Sequence, residues 1–477
     1  MIRILKKALA AVIMLLFLFP QPALASKSQD YDYVLDKNVR VPIPRTYKAD
    51  RVISYLGEEI GYMKGAEDLF IDRQGILYVA DTGNNRVLKM TGSGEVLGVF
   101  TGPKEKPMKS PRGVYVDDDG DIYVADTENG RVLHLSPYGD FVEEFTRPES
   151  DLLHETVSFD PNKVFISSTG YLYVIRGRQF MMIDAYNRFR GYAGADQVGF
   201  SLNDLLVRIF ASDEQKSRLQ RREPPSYINF VIHEDGMIYA VSAGSSNQIK
   251  KLNSVGKNIY PSGQYGEVEE DAEAKEPAFA DIAVDRNGII SVLDWKLGKV
   301  YQYDQEGNLL TVFGGIGAVK GKFESPSSLV VDRDGNIYVL DRGRNNIQVF
   351  APTKFIRDVH EAVMLYANGD YAEALVKWEE VLKTDANYTL AHRGIAKALY
   401  KDEEYLRAME EYRIGDDQEG YSLAFEEYRH EFFRGSFGLL VLAFILLIYI
   451  LYKVFMLMKK AAKKEQLKDT VWHGEVI

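Results

Sequence analysis

Residues 68–90 read DLFIDRQGILYVADTGNNRVLKM, and this stretch decides the fold. After Asp68, apolar residues fill 69–71, stop at Asp72-Arg73-Gln74-Gly75, and resume over 76–80 before Asp81. Short apolar runs rich in β-branched and aromatic residues mark strands, and Asp-x-x-Gly between two of them marks a tight turn. Polar Thr82-Gly83-Asn84-Asn85 then separates the second run from a third, 86–90. The stretch predicts three consecutive antiparallel strands.

The same grammar recurs along the chain. GVYVDDDGDIYVADTENGRVLHL (113–135) and SLVVDRDGNIYVLDRGRNNIQVF (328–350) are close copies. Weaker copies occupy 163–183, 229–252 and 281–303. The turn glycines, Gly75, Gly120, Gly170, Gly236, Gly288 and Gly335, are spaced by 45, 50, 66, 52 and 47 residues. Units one, two and five continue into a fourth apolar run at 95–100, 140–145 and 308–313. Six units of four short strands predict a six-bladed β-propeller, a ring of sheets with one strand of each at the axis. Unit six has no fourth run of its own, because Phe350 is followed by Ala351-Pro352 and helix-patterned sequence. An open sheet edge needs cover, and β-patterned 51–56 (RVISYL) is expected to supply the outer strand of the sixth blade.

These units resemble the NHL repeat. The match lies in Asp81-Thr82-Gly83-Asn84-Asn85-Arg86, in Asp126-Thr127-Glu128-Asn129-Gly130-Arg131 and in the stretch from Asp341 to Asn346. Units three to five lack the Asp-x-x-Asn-x-Arg loop. The resemblance implies a propeller and says little about function, since one fold hosts many activities.

Outside the repeats the chain divides by composition. Residues 1–25 combine Arg3, Lys6 and Lys7 with an apolar run and Ala23-Leu24-Ala25, the pattern of a signal peptide; an uncleaved anchor is the alternative. Residues 26–50 are expected as an N-terminal extension, 51–352 as the propeller and 353–434 as a helical region. A 34-residue self-match there pairs Ala362 with Ala396, Tyr366 with Tyr400, Tyr371 with Tyr405, Ala374 with Ala408 and Trp378 with Tyr412. This resembles a tetratricopeptide repeat. Residues 435–452 carry no charge, and counting on to 458 gives a stretch long enough to span a membrane. Residues 459–477 complete a Lys-rich tail. The segment 453–477 is net +3, residues 1–25 are net +3, and the rest of the 477-residue chain, net −11 overall, carries −17. Basic ends inside and an acidic middle outside is the expected orientation. The reading is mainly β: an NHL-type propeller, a small tetratricopeptide-like helical region and one transmembrane helix. The resemblance implies a bacterial cell membrane as the location, and the charge distribution an extracytoplasmic propeller and helices with a cytoplasmic C-terminal tail.

Composition excludes several chemistries. There are no cysteines, so disulfides, thiolate metal sites and cysteine nucleophiles are out. The acidic balance argues against nucleic acid as a partner. The seven histidines show no zinc-ligand spacing. No catalytic residue is assigned. The expected role is a binding and scaffold protein whose partner is a protein, peptide or glycan of the cell envelope. Its recognition surface is expected on the face holding the loops between second and third strands, through Trp295, Arg176, Arg178, Arg342 and Arg344. Arg86 and Arg131 on that face have a competing use, pairing with Asp81 and Asp126 to order their own loops. A helical insert at 199–226 is expected on the same face, as a lid, a docking element or a passive buttress. The competing function is a calcium-dependent, lactonase-like hydrolase. In that case Asp68, Asn229 and Asp281, with Glu67, would offer hard oxygen ligands in the central channel; otherwise no cofactor is expected.

Overall fold

The computed structural model describes residues 31–472 except 149, 151–157, 168, 194–225, 245, 255 and 268–276, with backbone alone over 465–472. The expected signal peptide, and the 199–226 insert apart from Ser226, lie outside the described residues. Two compact units divide between His360 and Glu361.

The first unit is a six-bladed β-propeller. Each blade is an antiparallel meander, and the innermost strands of neighbouring blades contact one another all the way round. Those strands are Asp68–Ile71, Pro111–Val116, Pro161–Ile166, Tyr227–Ile232, Phe279–Val284 and Pro326–Val331. Among the described residues blade 4 has three strands, the last being Ile249–Leu252. The turn chemistry is as the sequence predicts. Asp72 Oδ1 accepts from the N–H groups of Gln74 and Ile76, both at 2.8 Å, and Gly75 takes φ 81° at the position that closes the turn. Between blades the faces are apolar and fully buried. Leu77, Val79 and Leu88 of blade 1 pack with Leu340, Ile347 and Val349 of blade 6, and each such side chain contributes about 1.5–3 kcal/mol.

The N-terminal residues do more than extend the chain. Strands β1 (Asp32–Asp36) and β2 (Val39–Ile43) form a hairpin on the outer edge of blade 5, making a six-stranded sheet. Strand β3 (Tyr47–Ile53) is the fourth strand of blade 6, paired antiparallel with Asn346–Pro352 from Ile53↔Ile347 to Tyr47↔Pro352. The ring is thus closed where expected, on the outer edge of blade 6, but by residues 47–53 rather than 51–56, so that part of 26–50 belongs to the propeller. The earlier start has a local cause. Only Tyr47 and Ile53 of β3 are buried, so its alternation is faint. Tyr47 stacks on Phe313 at 4.6 Å, and Thr46, fully buried, shares its hydroxyl with Thr311 at 2.8 Å.

The second unit is helical. Helix α1 (Lys354–Asn368) crosses the division between units. It is followed by α2 (Tyr371–Thr384), α3 (Thr389–Lys401), α4 (Tyr405–Ile414) and α5 (Gln418–Trp472). The 34-residue match has a packing counterpart. Tyr366 meets Tyr371 at 5.3 Å, and Tyr400 meets Tyr405 at 5.6 Å. Trp378 lies so close to Gly394 that a Cβ there would sit 2.2 Å from the indole nitrogen. Helix α5 runs 55 residues without a break, merging the end of the expected 353–434 helical region, the 435–458 span and most of the tail. Among the described residues it is the one helix long and apolar enough to cross a membrane, with a mean hydropathy of 2.6 in its most apolar window.

Ring closure by β3 is testable. Deleting residues 26–53 removes the hairpin on blade 5 together with the fourth strand of blade 6 and should lower the melting temperature followed by circular dichroism by about 10 °C. An unchanged melt would show that the ring closes without it.

Candidate functional site

The six aligned innermost positions are Asp68, Gly113, Lys163, Asn229, Asp281 and Ser328. Asp68 Oδ2 accepts from Val114 N of the next blade at 2.9 Å. Ser328 Oγ accepts from Leu69 N at 3.1 Å and donates to Asp281 Oδ2 at 2.6 Å. Asp281 Oδ2 accepts from Leu329 N at 2.9 Å, and its Oδ1 accepts from Ile282 N at 2.8 Å and Asn229 Nδ2 at 2.6 Å. Lys163 reaches from blade 3 past blade 2 to place its ammonium 2.6 Å from Asp68 Oδ1. Gly113 lets blades 2 and 3 approach closely, since a Cβ there would lie 2.5 Å from Asn162 O.

The proposed calcium ligands are therefore already committed. Both oxygens of Asp68 and both of Asp281 face N–H or O–H donors, Asn229 Oδ1 accepts from Phe230 N at 2.8 Å, and the positive charge is Lys163. Burial pushes the Asp281 carboxyl up to about 6, against the pull of the nearby ammonium. The ion pair holds Lys163 above the usual lysine range despite its burial. Glu67 is drawn away to the other end of the channel, 3.7 Å from Arg112 and 3.8 Å from Arg342. Among the described residues no group of three or more His, Asp or Glu is disposed around a common metal position. A hard cation needs six to eight free oxygen ligands, and these residues do not fit it.

One layer outward, towards the Asp-x-x-Gly turns, the channel opens into a cavity of about 1980 Å³. Its walls include the next inward-facing layer of the innermost strands. Phe70, Tyr115 and Phe165 come from blades 1 to 3, and Val231, Ala283 and Val330 from blades 4 to 6. The three rings form a crescent, with centroids 5.1 Å apart for Phe70–Tyr115 and 4.3 Å for Tyr115–Phe165. Three aromatic side chains face three small aliphatic ones, and the difference in bulk leaves the space. At the mouth Arg73 of blade 1 lies 2.9 Å from Asp118 and 3.6 Å from Glu234 of blade 4, on the opposite side of the ring. This wall is legible in principle: counting two residues on from each axial position collects these six side chains.

The opposite face, expected to carry recognition, uses most of its arginines internally. Arg86 binds Asp81 at 2.7 Å and the Ile60 carbonyl at 3.1 Å. Arg131, only 1% exposed, binds Asp126, Glu144 and the Lys106 carbonyl. Thr82 and Thr127 of the same loops donate to Pro111 and Pro161 of the next blade, each at 2.7 Å. Arg176 is held by the Ser158 carbonyl, Asp160 and Gln179. Arg344 is held by the Lys322 and Gly317 carbonyls. Arg342 lies 3.4 Å from Ser325 Oγ as well as near Glu67. Arg178 is exposed and Trp295 is 45% exposed. None of the five residues lines the large cavity.

Residues 108–135 and 323–350 match the family model described as the NHL repeat, so the chain carries NHL repeats on a six-bladed propeller. Comparison with curated proteins found no match. Among solved structures, a streptogramin B lyase is 14% identical, over 60% of this chain and 78% of its own, with a TM-score of 0.39. A virginiamycin B lyase from Staphylococcus aureus is 12% identical, over 68% and 96%, with a TM-score of 0.39. A structure described as a candidate gluconolactonase is 13% identical, over 65% and 98%, with a TM-score of 0.40.

Two outcomes follow from the axial cluster. Lys163→Met leaves two buried carboxylates uncompensated and should cost about 3 kcal/mol or more in denaturant unfolding. A neutral effect would mean that the ion pair is dispensable. Asp281, whose folded pKa lies above its unfolded value, favours the fold most below about pH 4, and this contribution is lost as pH rises through about 6. Asp281→Asn should flatten the stability–pH curve between those values.

Proposed function

We propose that this protein is a membrane-tethered binding protein, and that its propeller takes a ligand into the turn-face cavity. The single observation that carries the reading is the aromatic crescent of Phe70, Tyr115 and Phe165, which lines a cavity opening towards solvent. Large apolar walls that could have packed together instead border a space, and such concave apolar sites with few polar groups are the usual form of a ligand pocket. The axial cluster supports binding over metal-dependent hydrolysis, because its carboxylates are spent on Lys163 and backbone N–H groups.

Helix α5 supports the tether, and the charge distribution supports an extracytoplasmic propeller with the Lys-rich tail inside. In this reading the helical unit offers additional area for a protein partner at the cell envelope. The cavity moves the main recognition surface to the turn face; Trp295 and Arg178 remain as secondary contacts on the loop face.

The test uses the full chain in detergent, screened by thermal shift against peptides, glycans and small amphiphiles. A ligand that raises the melting temperature of the wild type should lose at least ~10-fold in affinity for Phe165→Leu, equivalent to about 1.4 kcal/mol. Ligands that bind that variant as well as wild type would remove the cavity from the account. Protease added to intact cells should digest the propeller; its survival would reverse the orientation.

A further inference from the structure

Resting on the cavity reading, we infer that its ligand is an organic cation, an ammonium or guanidinium group carried on an apolar body. Three observations converge. First, the cavity walls carry nine carboxylates (among them Asp118, Glu234 and Asp281) against five cations, a net charge of −4 with His233 neutral. Low-dielectric walls of one sign focus the field into a cleft and raise the local concentration of the opposite charge. Second, one wall is the crescent of Phe70, Tyr115 and Phe165, with Tyr173 beside it. Aromatic faces attract cations, by about 0.5–1 kcal/mol where exposed and about 2 or more where desolvated. Third, the protein already places its own cations in such settings. Lys163 lies on Asp68 at the floor, and Arg73 lies between Asp118 and Glu234 at the mouth.

The two internal cations differ in what holds them. Lys163 belongs to the buried axial cluster and is fixed. Arg73 and its partners are each more than half exposed, so those ion pairs are worth ~1 kcal/mol or less. Arg73 therefore stands across the mouth as a weakly held surrogate, which an incoming cation displaces from Glu234. Local crowding fits this surplus of negative charge: Asp117 sits above the ordinary carboxylate range, first through burial and then through Asp121 and Asp119 beside it. Anionic ligands would meet the same field with the opposite sign.

The cation could come from a free amine or from a basic side chain of a peptide. Isothermal titration of the full chain in detergent separates these with benzyltrimethylammonium and tri-arginine as probes, against benzoate, benzyl alcohol and tri-glutamate. At least one cationic probe should bind, ~10-fold more weakly to Tyr115→Leu and several-fold more tightly to Arg73→Gln, which removes the competing internal cation. Arg73 is exposed, so that variant is expected to fold, and its melt checks this. Binding of benzoate, benzyl alcohol or tri-glutamate that depends on Tyr115 would overturn the charge inference and leave the cavity reading standing. If no probe of any charge depends on Tyr115, both fall. Weaker cation binding by folded Arg73→Gln would overturn the surrogate role.

Discussion

The propeller depends on how an axial side chain in one blade accepts a backbone N–H from the next. Asp281 takes Leu329 N, Ser328 takes Leu69 N, and Asp68 takes Val114 N. These links satisfy buried donors at the one place in a radial fold where the sheets have no further strand to pair with. An unsatisfied buried N–H costs ~1–3 kcal/mol, so each link also fixes the rotational register of two blades. Charged acceptors make stronger bonds than neutral ones, but they bring negative charge into a closed space. Lys163 resolves this by reaching over Gly113 to Asp68. The residues that look like a metal site in the sequence are thereby the hub of the ring.

A second set of links works at the rim. Within the Asp-Thr-x-Asn-x-Arg loops, Asp gathers the Asn and Arg of its own turn, Thr donates to the next blade's Pro carbonyl, and Arg clamps the loop segment that leads into its blade. Asn85 and Asn345, both left-handed at φ near 54°, accept from Ser110 N and Gly65 N of the following blade at 2.8 and 2.7 Å. Axis and rim together explain why Arg86, Arg131, Arg176 and Arg344 are poor candidates for recognition: their hydrogen bonds are made within the frame.

The fold was legible because a turn glycine between two apolar strands repeats six times, four times as Asp-x-x-Gly, and each local rule agrees with the others. Strand β3 was placed too late, because its central residues face solvent and leave no alternation to read. The hairpin of β1 and β2 was hidden by Pro42 and by a short, half-exposed pattern. The candidate site was misread for a different reason. Residue type identifies what can bind calcium, yet which lone pairs are free depends on neighbours in other blades, 46 to 260 residues away in sequence. The cavity depends on the relative bulk of six side chains in one layer. That is a property of the alignment across blades, and no single repeat announces it.

Helix α5 has a mechanical consequence. At 1.5 Å per residue its 55 residues make a rod of about 80 Å, and a hydrocarbon core of roughly 30 Å accounts for well under half of that. With no proline and no interruption at Gly435 or Gly438, the rod has no joint at which torque could dissipate. If the proposed tether is this helix, its two ends are joined by one continuous hydrogen-bonded rod and cannot reorient independently of each other.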